Sequence, residues 1–408
     1  MLLFFEKLVY NFFVKNFLLL LLIFSSALLG ASSYEYQPRR EFVPNYKYGY
    51  KKAYFLNDFN LSFTNPKKKY YPQNSCDSDN CKALLKLIRT SENNIDFAIY
   101  GLQDQDIILN ALISAQKRGV KVRGIVDKDE LNFYKDSKLL FKYFDNVKND
   151  KFLPIAKHEQ DDKFTRAKQA LMHDKFFIVD DKYVWTGSTN VSAACMTFNA
   201  NTAITIVSPE VANVYKKEFE QMYLQDKFHN EKDLLNNTEN ISLNNGKTQV
   251  SIYFSPKAEV LTNQIRPLIQ NSKESIHIAM YYLTHKKIVD DLIDAKSRGV
   301  DVKIILDGSF VRDGYAPHEK LREAGVPVKI ENWRSKLHSK NAIFDGKITT
   351  LGSTNWTSTA ELVNDENMII VYDEKVAKEV ERNFQRMWKS IPDEWLYRSP
   401  KYRNQLKK

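Results

Sequence analysis

The sequence predicts an α/β protein built from two similar layered domains, related by internal duplication and a pseudo-twofold axis. Three observations predict it. The run HDKFFIVD, from His173 to Asp180, recurs as HSKNAIFD from His338 to Asp345, and GSTN follows each at Gly187–Asn190 and Gly352–Asn355. One offset of 165 residues relates His173 to His338, Gly187 to Gly352, Asn190 to Asn355 and Phe219 to Phe384. That is the spacing of a duplicated domain, not of a solenoid repeat. In both copies β-branched runs alternate with helical apolar spacing, the pattern of strands layered with helices.

At the N-terminus, Lys7 and Lys15 flank an apolar core at Phe17–Phe24, and small residues follow to Ser33. Residues 1–31 read as a cleavable signal peptide or as a retained membrane anchor. Either places the body of the protein outside the cytoplasm, exported to the periplasm or beyond. Residues 32–75, rich in Tyr, Lys and Pro, read as an extended basic linker rather than a packed element. Cys76 and Cys81 are close enough to bridge in an oxidising compartment, and their spacing is not that of a zinc site. Cys195 is left over and reads as a packed thiol.

The first domain is expected over 76–235. It carries a strand at Ile95–Tyr100, a helix at Ile107–Lys117 closed by Arg118-Gly119, and a strand at Val120–Val126. The strand Phe176–Val179 then turns at Asp180–Lys182 into a second strand ending at Gly-Ser. The second domain, 248–395, repeats this with Ile276–Met280, Ile288–Lys296, Arg298-Gly299, Val302–Leu306 and Asn341–Phe344. The halves differ in one place: 46 residues separate Asp127 from His173, against 31 between Asp307 and His338. The surplus is placed at Asn146–Lys168, a polar segment that reads as a substrate-gripping flap or a surface insertion. Residues 396–408 form a basic tail.

The apolar fraction of 43% and charged fraction of 27% are those of a globular chain. The net charge is +10, or +9 without Lys7, Lys15 and Glu6. It favours polyanionic partners, nucleic acid or an anionic membrane, without choosing between them.

Paired His, Lys and Asn residues are the groups that phosphodiester cleavage requires: a nucleophile, a proton donor and cationic or amide donors to the phosphoryl oxygens. No carboxylate cluster of the two-metal kind is identified, so no metal or cofactor is expected. On these residues the chain resembles the phospholipase D superfamily, with two HKD motifs and their GSxN elements. The half from Val250 to Trp388 is also similar to the small bacterial Nuc-type endonucleases, through GVDVKIILD, LHSKNAIFDGK, LGSTNWTSTAE and NDEN.

The resemblance implies a phosphohistidine intermediate. One histidine attacks phosphorus and the other protonates the leaving group. Lys175, Lys340, Asn190 and Asn355 then hold the phosphoryl oxygens, assisted by Ser188 and Ser353. Glu366 matches the family position whose carboxylate orients the histidine of the opposite half, here His173. The equivalent first-half residue is Asn201, which faces His338. His173 is therefore expected to be the nucleophile and His338 the general acid/base. Asp180 and Asp345, at strand ends, are expected to be structural, as are Asp127 and Asp307. His158, His229, His277, His285 and His318 read as ordinary surface or core residues, and Trp185 and Trp356 as cleft-lining or packing groups. Nucleic acid is the favoured substrate and a phospholipid head group the alternative. A cardiolipin synthase-like transferase fits less well, because such relatives carry two membrane helices ahead of the catalytic halves. A monomer with both half-sites is plausible, and retention of both motifs argues against a pure binder.

Overall fold

The computed structural model describes residues 59–66, 75–151 and 170–400. Residues 1–31, most of 32–75, 152–169 (which hold most of the expected insertion) and 401–408 of the tail lie outside the described residues.

The first sheet contains β1 (Phe59–Thr64), β2 (Asn94–Ile99), β3 (Lys121–Val126), β4 (Val147–Asn149), β5 (Lys175–Val179), β6 (Tyr183–Gly187) and β7 (Asn201–Val207). Their order in space is β1-β7-β6-β5-β2-β3-β4. The second sheet contains β8 (Ile241–Leu243), β9 (Thr248–Ser255), β10 (Ser275–Met280), β11 (Asp301–Leu306), β12 (Val328–Ile330), β13 (Lys340–Phe344), β14 (Ile348–Gly352) and β15 (Glu366–Tyr372). Its order, β8-β9-β15-β14-β13-β10-β11-β12, repeats the first with β8 added at one edge. In each sheet the two inner strands of the β-helix-β unit run parallel, and the strand that starts at the motif lysine lies antiparallel beside the first of them.

The strands form where β-branched and aromatic residues cluster, and the helices where apolar residues recur at helical spacing. Helix α1 (Asp79–Thr90) is capped by Ser78, whose hydroxyl accepts from the Cys81 amide at 3.2 Å, and the Cys76–Cys81 disulfide ties the chain to its first turn. Helix α2 (Asp106–Lys117) is the crossover between β2 and β3 and ends at Gly119, which takes φ +94°. Helix α3 (Pro209–Tyr223) and helix α5 (Glu374–Ser390) are the matching long helices that follow β7 and β15, with α4 (Lys286–Ser297) as the second crossover. One apolar cluster runs through both halves, joining Phe176, Ile204 and Phe219 to Ile252, Ile343 and Ile369. No helix among the described residues is long and apolar enough to cross a membrane.

Two expectations are corrected, and the structure adds detail in two further places. The tract 32–75 is not linker throughout: Phe59–Thr64 is β1, paired antiparallel with β7, with Phe59 and Leu61 against the core. The alternation of Phe59, Leu61 and Phe63 with polar residues is a period-two strand signal, and β1 is the counterpart of β9. The interval between the domains carries β8, joined to β9 through Asn244, Asn245 and Gly246, all at positive φ, which is hairpin chemistry. The surplus segment begins later than Asn146, because Val147–Asn149 is β4 and has a counterpart in β12. Finally, the start of the tail is docked: Arg322 donates to the carbonyls of Trp395 (2.6 Å) and Arg398 (3.2 Å), and His318 Nε2 meets Ser399 Oγ at 2.9 Å.

Candidate active site

The two motifs meet because each half lends backbone to the other. The His173 amide donates to the Asp365 carbonyl at 2.9 Å, and the Asp365 amide to the Leu171 carbonyl at 2.9 Å. The mirror pair is the His338 amide to the Ala200 carbonyl at 2.8 Å and the Ala200 amide to the Lys336 carbonyl at 2.9 Å. These short parallel bridges place the residue after each bridge, Glu366 or Asn201, under the imidazole of the opposite half.

His173 Nδ1 lies 2.8 Å from Glu366 Oε2. The same oxygen accepts from Ser353 Oγ at 2.6 Å, while Asn364 Nδ2 donates to Oε1 at 3.2 Å. His338 Nδ1 lies 3.0 Å from both Asn201 Oδ1 and the Ser188 carbonyl. Asn201 is oriented by its own amide, which donates to the carbonyls of Cys195 (3.1 Å) and Asn199 (3.3 Å), and by Ser188 Oγ, which donates to its oxygen at 2.9 Å. The nearest Nδ1 neighbours of both rings are therefore acceptors. Each ring carries its proton on Nδ1, and its Nε2 is left for chemistry.

The lysines sit beneath the rings. Lys175 donates to the His173 carbonyl, and Lys340 to that of His338 at 2.7 Å. Each ammonium also lies over a tyrosine ring, Tyr100 at 5.1 Å and Tyr281 at 4.9 Å. The same two tyrosines meet the imidazoles edge-on or tilted, both with centroids 4.8 Å away. His173, His338, Asn190 and Asn355 line one cavity of about 730 Å³, walled by Phe133, Tyr134 and Tyr282 and flanked by Arg334 and Lys336. Asn190 Nδ2 donates to the Tyr134 hydroxyl at 3.1 Å.

Burial and the two lysines hold both imidazoles well below the ordinary histidine range, so they rest neutral at neutral pH. Burial lowers Lys175 to about 8 and pushes Glu366 up to about 7. Lys340 is also depressed, by burial and by Lys175.

The serines differ from expectation. Ser188 and Ser353 are fully buried, and each spends its single hydroxyl proton on Asn201 or Glu366. They brace the orienting residues and have no proton left for a phosphoryl oxygen. The glycine before each is required by close approach: a Cβ at Gly187 would lie 2.3 Å from the Thr202 oxygen, and one at Gly352 2.2 Å from that of Asn367. Asp180 and Asp345 accept backbone amides, from Glu92–Asn94 and Lys273–Ser275 respectively. Asp127 and Asp307 accept the amides of Met172 and Leu337, each at 2.9 Å, and so pin the chain just before each histidine. Trp185 and Trp356 are fully buried packing groups. Cys195 is buried and free, with its sulfur 3.9 Å from His338 Nδ1.

Residues 84–223 and 265–388 match the family described as cardiolipin synthase, PLD-like domain. The chain belongs to the phospholipase D superfamily. It is a phosphodiester hydrolase of that superfamily. It is 33% identical over 138 residues to a phospholipase D of Rickettsia conorii, covering 34% of this chain and 68% of the relative. A mitochondrial cardiolipin hydrolase of Chlamydomonas reinhardtii is 29% identical over 118 residues, covering 29% of this chain and 53% of the relative. The crystal structure of a phosphatidylserine synthase from Haemophilus influenzae shares the fold with a TM-score of 0.57 at 17% identity, covering 80% of this chain and 88% of that one.

Within the superfamily's HKD framework, the paired tyrosines are the part of this site that motif reading passed over. Tyr100 and Tyr281 stand at matched places in IDFAIYGL and IHIAMYYL, so the repeat itself carried the signal. Arg334 and Lys336 have no such signal, since they lie in the irregular stretch before the second motif.

Proposed function

We propose that this chain hydrolyses phosphodiesters through a covalent adduct on His173, with nucleic acid in single-stranded form as the favoured substrate. The observation that carries the assignment of roles is the asymmetry beneath the rings: a carboxylate under His173, an amide and a carbonyl under His338. A carboxylate stabilises the positive charge that an attacking imidazole acquires. A ring held only by neutral acceptors makes a stronger acid, suited to protonating a leaving alkoxide.

In the first step His173 Nε2 bonds to phosphorus and the P–O bond to the leaving group breaks. That oxygen takes the Nε2 proton of His338. His338 takes up that proton from solvent as the substrate binds, because the phosphate anion between the rings favours the imidazolium. In the second step His338 Nε2 removes a proton from water, whose oxygen attacks phosphorus, and the P–N bond breaks to release a phosphomonoester. Lys175, Lys340, Asn190 and Asn355 are the donors available to the phosphoryl oxygens.

Aromatic walls beside cationic Arg334 and Lys336 suit unstacked bases on a phosphate chain, and the +10 charge supports the same class. A second reading, phospholipid head-group hydrolysis, is favoured by Phe133, which is 75% exposed at the cavity wall and gives an apolar rim of the kind that contacts acyl chains. An exported or membrane-tethered location belongs to the proposal, supported by the apolar N-terminus and by the disulfide.

The test incubates purified protein in excess chelator with plasmid DNA, single-stranded nucleic acid and phospholipid vesicles, and uses His173→Ala as control. Chelator-resistant cleavage of the single strand, lost in the variant, is the expected result. Head-group release with nucleic acid untouched would replace the substrate and keep the mechanism. Equal inertness of both proteins on all three would overturn the proposal.

A further inference from the structure

Behind the His173 half-site lies a buried cluster of charges that the reaction itself does not use. Asp365, fully buried, forms an ion pair at Oδ1 with Lys232 Nζ at 2.7 Å and accepts there from the His229 amide at 2.8 Å. His229 Nδ1 stands 2.9 Å from Oδ2, within ion-pair range though not aligned as a hydrogen bond. Lys232 donates to Glu218 and to the Ser255 carbonyl at 2.9 Å. Asp150 approaches the far side of His229 at 3.5 Å.

Asp365 is the node. Its side chain is held by the connection between the halves, its amide and carbonyl hold the chain on either side of Met172, and its neighbour Glu366 reaches His173. The mirror position in the first half is Ala200, which makes the same two backbone bonds but has no carboxylate to be gripped. The asymmetry beneath the two imidazoles thus extends one shell deeper, and on the same side.

We propose that His229 and Lys232, carried by the segment joining the two halves, are positioning residues that lock Asp365 and thereby hold Glu366 against the nucleophile His173. This rests on the assignment of His173 as nucleophile. Lys232, paired with both Asp365 and Glu218, offsets much of the cost of burying them. A segment that crosses from one half to the other therefore sets the register of the catalytic strand β15.

The experiment uses the full chain and bis(p-nitrophenyl) phosphate, and compares wild type with Lys232→Met, Lys232→Arg and His229→Gln. Rapid-quench kinetics read the burst of p-nitrophenol, and mass spectrometry under alkaline conditions maps the adduct. Folded Lys232→Met is expected to keep KM within about twofold and to form the His173 adduct on the order of tenfold to a hundredfold more slowly, the loss that a misplaced reacting group produces. Lys232→Arg should recover most of that rate, and His229→Gln should show a smaller loss of the same kind. Wild-type burst rates in folded Lys232→Met and His229→Gln would overturn the proposal while leaving His173 as nucleophile. If Lys232→Met does not fold, His229→Gln, which keeps the backbone N–H on Asp365, decides alone. An adduct on His338 in the wild type would instead overturn the assignment of roles, and this proposal with it.

Discussion

His173 and His338 occupy the same place in the same motif, yet Glu366 meets one ring where Asn201 and the Ser188 carbonyl meet the other, and the proposed division of roles rests on that difference. Glu366→Gln would give both rings a neutral partner. The expected result is a fall in kcat/KM on the order of a hundredfold or more at pH 7.5, with circular dichroism unchanged, because His173, in its proposed role as nucleophile, loses the charge that stabilises its imidazolium. The pH profile should be narrow. Burial lifts Glu366 to about 7, so its carboxylate forms as pH rises through that value and activity climbs. Burial lowers Lys175 to about 8, so the ammonium proposed to meet the phosphate is lost as pH rises further and activity falls. A bell in kcat/KM with limbs near 7 and 8 is expected, with an extended alkaline limb in Lys175→Arg; a flat profile from pH 6 to 10 would contradict it. The Glu366–Asn201 difference was legible in the sequence because the 165-residue offset aligns the two positions. The direction of the serine hydroxyls was not legible: spacing places Ser188 and Ser353 near the site, but only full burial decides where their one proton goes.

At the level of elements, the strands and crossover helices that carry the motifs were legible, because each is a β-branched run or a helical apolar pattern repeated in the second half. Four edge elements were not. β1 hides in a tract whose Tyr, Lys and Pro content reads as linker, although Phe59, Leu61 and Phe63 alternate. β4, β8 and β12 are three residues each, too short for any period to register, and are held by their neighbours rather than by propensity. The glycines of GSTN separate motif from geometry in a testable way. Gly352→Ala would drive a Cβ to 2.2 Å from a backbone oxygen of β15, the strand that begins with Glu366. Gly119→Ala meets nothing within 4 Å and incurs only the strain of φ +94°. Thermal unfolding should therefore show Gly352→Ala losing several kcal/mol, against about 1 kcal/mol for Gly119→Ala. Gly352→Ala should also lose most activity, because a shift of β15 carries Glu366 with it.

For the molecule as a whole, the duplication predicts its own completeness. Each half supplies the backbone acceptor for the other's histidine and the residue beneath its ring, and one apolar cluster passes between them. The twofold arrangement was legible from the offset alone. The buried charges on the connecting segment were not, because His229 and Lys232 lie outside every repeat and their partners come from both halves. An active site assembled within one chain makes a specific demand on mixing. His173→Ala and His338→Ala, each folded and inactive, are expected to remain at background when combined in equal amounts, since restoring a site would require both proteins to open the bridges at Met172–Asp365 and Ala200–Leu337 and exchange halves. Specific activity of the wild type should likewise stay constant over a hundredfold dilution. Recovery approaching a quarter to a half of wild-type activity on mixing, or a specific activity that rises with protein concentration, would mean that the working site forms between chains. In that case the cross-half contacts would be exchanged between two copies instead of closed within one.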